Sequence, residues 1–306
     1  MFRRRRWRRP QPRPPVMTRN RAMAFALRRV CVLCLWLALG GLVVACGEGS
    51  SPEADLREAR AAMQDLDWIY AERCFVRYLR KADDAEARWQ AWQGLLTIVT
   101  RAGHMDPRAA LDYLEVMVAE YNGNDTRLRM LLPRLGTLAL DMRRHERALE
   151  VWDEYTQLSG LSEEESINGH SQLARLYVHM GRYAAAEDTL QNALSESQSE
   201  GGRAVFLYEL AELHSLREQW QEAVDLGLQV LESSSDPVLR GRACFLLGDA
   251  NEQLKKTEEA LTYFQLARAG YPNALAVDKR ITLLHKGASR RERDQQTAET
   301  KGATLP

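Results

Sequence analysis

Cys46 is the thiol in this chain whose surroundings specify a chemistry. Ahead of it stand Arg28, Arg29 and an apolar run from Val30 to Ala45, and behind it comes Gly47-Glu48-Gly49-Ser50-Ser51-Pro52. A basic segment, a short apolar stretch and small residues before a cut form a secretory signal. Cys31 and Cys34 have the spacing of a redox pair, but they sit inside the apolar run and read as signal filler. Histidines 104, 145, 170, 179, 214 and 285 have no ligand spacing, and His170 and His214 read as packed or rim residues of helices. The run Glu163–Glu165 reads as a helix start, and Asp83-Asp84 as a solvated connection. No HExxH, GxSxG or GxxxxGK pattern occurs. The sequence is therefore read as that of a non-enzyme, with no catalytic residue, metal or cofactor expected.

The ending Val43-Val44-Ala45-Cys46 resembles the lipobox of bacterial lipoproteins, in which the cysteine becomes the lipidated first residue. The resemblance covers the first 46 residues. It implies a signal peptide over 1–45, cleaved before Cys46, and a mature protein held to a membrane outside the cytoplasm. An uncleaved span is disfavoured, because the sixteen residues between Arg29 and Cys46 fall short of the roughly 20 that cross hydrocarbon. Gly40 and Gly41 also weaken a helix there. In Gram-negative lipoproteins an Asp after the cysteine marks inner-membrane retention. Gly47 stands there instead, which favours an outer-membrane address facing the periplasm if the host has two membranes. The start at Met1 or at Met17 stays open.

A net charge of zero conceals an asymmetry. Residues 1–45 hold eleven arginines and no acid, and the remaining 261 residues carry 31 basic against 42 acidic side chains, a net of −11. Such a surface repels phosphate backbones, so no nucleic-acid partner is expected. Beyond Cys46 only Cys74 and Cys244 remain, both among apolar neighbours. They read as buried free thiols rather than a disulfide framework.

Periodicity decides the fold class. An alanine followed four and seven positions later by further core-type residues recurs at Ala71, Ala109, Ala148, Ala186, Ala223 and Ala260, with spacings of 37–39. The clearest copy runs Leu173-Ala174, Tyr177, Gly181-Arg182-Tyr183, Ala186, Leu190, Ala193. This pattern resembles the tetratricopeptide repeat, two antiparallel helices with small residues where they cross and rings filling between them. The family period is about 34, so the helices or turns here are extended. The resemblance spans roughly 52–272 and is weakest in the second copy. It implies an all-α fold, a right-handed alpha-alpha superhelix of about six helix pairs. A segment bearing Ala274, Val277, Ile281 and Leu284 reads as the capping helix. The domain reading is a tether over 46–52, a solenoid over 53–286 and a disordered polar tail over 287–306. Asp106-Pro107 and Asp236-Pro237 read as capped helix starts, Ser162 to Glu165 as a capping box, and Gly160 and Gly181 as turn glycines.

The resemblance also implies a groove lined by the first helix of each pair. Carrying over the groove positions gives Asn168, Ser171, Arg175, Val178 and His179 in the fourth repeat. The fifth gives Val205, Tyr208, Glu212, Ser215 and Leu216, and the sixth Arg242, Phe245, Asp249, Glu252 and Gln253. Tyr208 and Phe245 serve as anchors if exposed, or pack against the next repeat. Chaperone-binding members grip a C-terminal carboxylate with a Lys and two Asn. Leu56, Arg60, Pro133 and Thr137 stand at those places, so chaperone tails are disfavoured. The expected partners are other envelope proteins or peptides, with the membrane engaged through lipid on Cys46. The function read is a non-catalytic envelope scaffold. The alternatives are an activator or subunit of an envelope enzyme, and a structural lipoprotein that pairs with itself as a homodimer.

Overall fold

The structure is a computed structural model that describes residues 51–101 and 105–302. The signal segment, Cys46 and most of the tether therefore lie outside the described residues. Within these limits the chain is all α, thirteen helices arranged as sequential antiparallel pairs. The pairs are α1 (Pro52–Gln64) with α2 (Trp68–Lys81), α3 (Ala85–Thr100) with α4 (Pro107–Glu120), and α5 (Asp125–Asp141) with α6 (His145–Thr156). They continue with α7 (Glu163–His179) and α8 (Tyr183–Glu196), α9 (Glu200–Leu216) and α10 (Trp220–Ser233), and α11 (Pro237–Gln253) and α12 (Thr257–Ala267). A final helix, α13 (Ala274–Gly302), closes the series. No described helix is long and apolar enough to cross a membrane.

Local chemistry starts the first helix of every pair. Ser51, Asp84, Asn124, Ser162, Ser199 and Asp236 each accept a backbone N–H of the opening turn. Ser162 and Glu165 complete a reciprocal capping box. Four second helices, α6, α8, α10 and α12, follow Arg144, Arg182, Gln219 and Lys256 and have no side-chain cap. Their turns hold shape from the preceding helix instead. Leu66, Arg143, Gly181, Glu218 and Lys255 take positive φ at the same place in five hairpins. The next N–H then reaches back to close the helix end, as Arg144 N does to Ala139 O at 2.8 Å and Lys256 N to Asn251 O at 2.9 Å. This is the Schellman geometry, which joins two helices through three residues.

The shared interior follows the alanine period with one correction. Ala71, Ala148, Ala186, Ala223 and Ala260 have no exposed surface, as expected for crossing points. In the second pair Ala109 is only partly buried, and Ala110, 2% exposed, takes the crossing position. The connection before α4 spans residues 101–106, six rather than three, so Pro107 and not Asp106 aligns with Trp68 and His145. With that shift Leu114 and Met117 fall into the buried places held elsewhere by Phe75 and Tyr78 or Trp152 and Tyr155. Close approach explains the small residues facing them. A Cβ on Gly136 would lie 2.6 Å from the Trp152 ring, and one on Gly248 2.7 Å from Phe264.

The far end of the solenoid is covered as the apolar stripe requires. Val277 is buried among Cys244, Phe264 and Ala267, with Ile281 and Leu284 packed beside it. Helix α13 then runs on to Gly302, past the boundary expected at 286. Its Arg, Glu, Gln and Ala content favours helix without requiring burial. Cys74 and Cys244 are both free and buried.

Candidate partner-binding groove

The first helices α7, α9 and α11 pack side by side. Their outward residues build the groove. Asn168, Arg175, His179, Glu212 and Arg242 are exposed along it. Across the α7–α9 contact, Arg175 Nη2 donates to Glu209 Oε1 at 2.8 Å; the arginine is 62% exposed and the carboxylate 8%. On α9, Tyr208 donates to Glu212 Oε1 at 2.6 Å. Burial, reinforced by the Glu212 carboxylate, pushes the Tyr208 phenol up, so it stays protonated and remains a donor.

Glu209 was not among the residues read from the family positions, although it follows Tyr208 directly. Burial raises its pKa above the usual carboxylate range, and Arg175 opposes that shift. Ser171 faces the same carboxylate, but neither its Oγ nor Glu209 Oε2 has a partner in hydrogen-bonding geometry. The sequence signal for Glu209 is faint, because an acidic residue on an inter-helix seam looks like any other surface Glu until its neighbours are known.

The sixth repeat differs from the open part of the groove. Phe245 stacks on Tyr271 with centroids 4.2 Å apart and planes 10° from parallel, and meets Phe264 edge-on at 5.3 Å. It packs against the next element, one of the two readings open to it. Asp249 and Glu252 are both held by Arg280 of α13, the latter at 3.0 Å. The capping helix therefore occupies this end, and Phe245 and Asp249 are turned to internal contacts. Tyr208 is likewise half-buried, between the α10 and α11 seams.

The histidines have structural company. His170 Nδ1 donates to the Ser166 carbonyl at 2.8 Å, with its ring against Phe206. His214 Nδ1 donates to Gln219 Oε1 at 3.0 Å. His179 lies beside His145, ring centroids 4.6 Å apart. Among the described residues, no group of three or more His, Cys, Asp or Glu is placed to hold a metal. The arrangement presents exposed charges and amides along packed first helices, with the Arg175–Glu209 ion pair joining α7 to α9.

Family comparison agrees with this geometry. Two segments match models described as tetratricopeptide repeat, residues 170–204 and 241–267. No curated protein sequence matches significantly. Among solved structures, the chain is similar to a crystal structure of MamA at 19% identity, covering 57% of this chain and 90% of that one, with a TM-score of 0.43. The apo form of RapI shares 11% identity over 71% of this chain and 75% of its own, with a TM-score of 0.48. The Pseudomonas aeruginosa pilF product shares 16% over 74% and 95%, with a TM-score of 0.44. The matched segments fall on the fourth and sixth helix pairs, so those two pairs carry tetratricopeptide repeat sequences within an all-α, tetratricopeptide-like solenoid.

Proposed function

We propose that this chain is a lipid-anchored envelope scaffold that binds other proteins through the concave layer of its first helices and performs no catalysis itself. The observation that carries the reading is that layer. It sets Asn168, Arg175, His179, Glu212 and Arg242 on one face, each on a helix fixed by a buried seam. Exposed Arg and half-buried Tyr are the residue types that dominate interface energetics. The envelope part of the reading rests on the secretory signal and on Cys46, with Gly47 behind the outer-membrane assignment.

Two measurements test the two halves separately. In the native host, Cys46→Ala is expected to give unprocessed precursor that takes up no labelled fatty acid; normal processing would remove the anchor from the account. For the scaffold half, affinity capture from solubilised envelopes is expected to recover foreign proteins. The paired variant Arg175→Glu with Arg242→Glu is expected to lose them while keeping its helical circular dichroism. Recovery of only the chain itself would favour the self-associating reading.

A further inference from the structure

The groove is also distinctive at its other end, where α1, α3 and α5 lie. Several arginines of the solenoid meet carboxylates: Arg77 with Asp55, Arg88 with Glu120, Arg127 with Glu86, Arg147 with Glu115, Arg175 with Glu209 and Arg217 with Glu187. Two exposed arginines of first helices meet amides of one shared helix instead. Arg60 of α1 donates to Gln90 Oε1 at 2.5 Å, and Arg134 of α5 to Gln93 Oε1 at 3.4 Å. Gln90 and Gln93 stand one turn apart on α3, so the four side chains form a single strip across three helices. A neutral amide oxygen orients a guanidinium without cancelling its charge. Both cations are thus presented without a carboxylate partner, in a chain whose residues 46–306 carry a net charge of −11.

One donor of the strip lacks an acceptor. Gln93 Nε2 is buried and has no hydrogen-bond partner among the described residues. Beside Arg134, one turn earlier on α5, Met130 is 56% exposed. The complement to two fixed cations, an orphaned N–H donor and an exposed thioether is an acceptor-only anion next to an apolar group.

Resting on the scaffold reading, we propose that the α1–α3–α5 strip of Arg60, Gln90, Gln93 and Arg134 docks an acidic segment of a partner protein. The segment engages the strip through two internal Asp or Glu side chains flanking an apolar residue. Both guanidiniums are bonded to amides one turn apart on α3, positions about 5–6 Å from each other. An extended chain advances about 3.3 Å per residue with alternate side chains on one face, so carboxylates about two to four residues apart reach both. The recognised groups are side-chain carboxylates, not a chain terminus. This distinguishes the strip from a site built to hold a C-terminal carboxylate.

The test uses the full chain purified in detergent and fluorescence anisotropy of a labelled ten-residue peptide. The peptide is amidated at its end and carries two Glu about four residues apart around a Leu. Its counterparts have Gln, or Lys, at the two Glu positions. The Glu peptide is expected to bind, to weaken as salt rises, and to outcompete the Gln peptide by about tenfold or more. Arg60→Gln and Arg134→Gln are each expected to weaken it several-fold, and the double variant to abolish it. Unaltered circular dichroism is expected in all three, because both residues are exposed. Equal binding of the Glu and Gln peptides, or full binding by the double variant, overturns the inference. So does tighter binding of a single-stranded oligonucleotide, which would show charge alone to be read. If the peptide fails while envelope capture still depends on Arg175 and Arg242, the strip is discarded and the scaffold reading stands.

Discussion

Glu209 and Gly136 show how single residues constrain this molecule in opposite ways. Glu209 is a carboxyl that burial keeps above its ordinary titration range despite the Arg175 guanidinium at 2.8 Å. Ser171 and Glu212 are the other groups facing it. With its folded pKa raised, the native state holds more protons than the unfolded chain between the ordinary carboxylate pKa and the raised value. Its contribution to stability is therefore fully present below that window and is lost as pH rises through it. Glu209→Gln is expected to flatten the pH dependence of the denaturation midpoint across the same window, measured by urea titration from pH 4 to 8. An unchanged profile would mean the carboxyl is already ionised and paired. At Gly136 the constraint is space, since an added Cβ meets the Trp152 ring at 2.6 Å. Gly136→Val is expected to cost about 1–3 kcal/mol from overpacking, visible as a lower denaturation midpoint.

Turns and caps are where the elements are specified. The aspartate–proline starts, the capping box and the glycine turns are legible in the sequence because each depends on residues adjacent in the chain. The second repeat misleads by one residue because its longer connection shifts the frame. Counting from Pro107 as the first helical residue, as Trp68 and His145 are, leads to Ala110. The residues that turn the groove inward at its C-terminal end were less legible. Arg280 meets Asp249 and Glu252 only because α13 folds back on the sixth pair, a long-range contact with no local signature. Element energetics can be tested at the hairpins. Glu218 and Leu66 hold positive φ without being glycine, a conformation that costs an L-residue about 1–2 kcal/mol. Glu218→Gly and Leu66→Gly are each expected to raise stability by up to about 1 kcal/mol, after the entropy of the freer unfolded chain is subtracted. Gly181→Ala, at the equivalent turn, is expected to lower it by a similar amount in thermal melts.

At the scale of the molecule, the six hairpins and α13 form an extended interior in which each pair is buried by its neighbours. Such solenoids need covered ends. Ending the chain at Pro272 strips Val277, Ile281 and Leu284 from Cys244 and Phe264 and frees Asp249 and Glu252 from Arg280. The truncated protein is expected to aggregate or melt earlier at its C-terminal repeats, read by hydrogen exchange over α11 and α12. Preserved protection there would mean the sixth pair is self-sufficient. The central functional claim is that one curved layer, and not the outer helices, meets the partner. Photo-crosslinking residues placed in living cells at Arg175, Glu212 and Arg242, and on the outer helices at Asp188 and Gln229, test it directly. The account expects discrete foreign-protein adducts from the three inner positions and none from the two outer ones. Adducts from the outer positions alone, or equal yields from both faces, would contradict it.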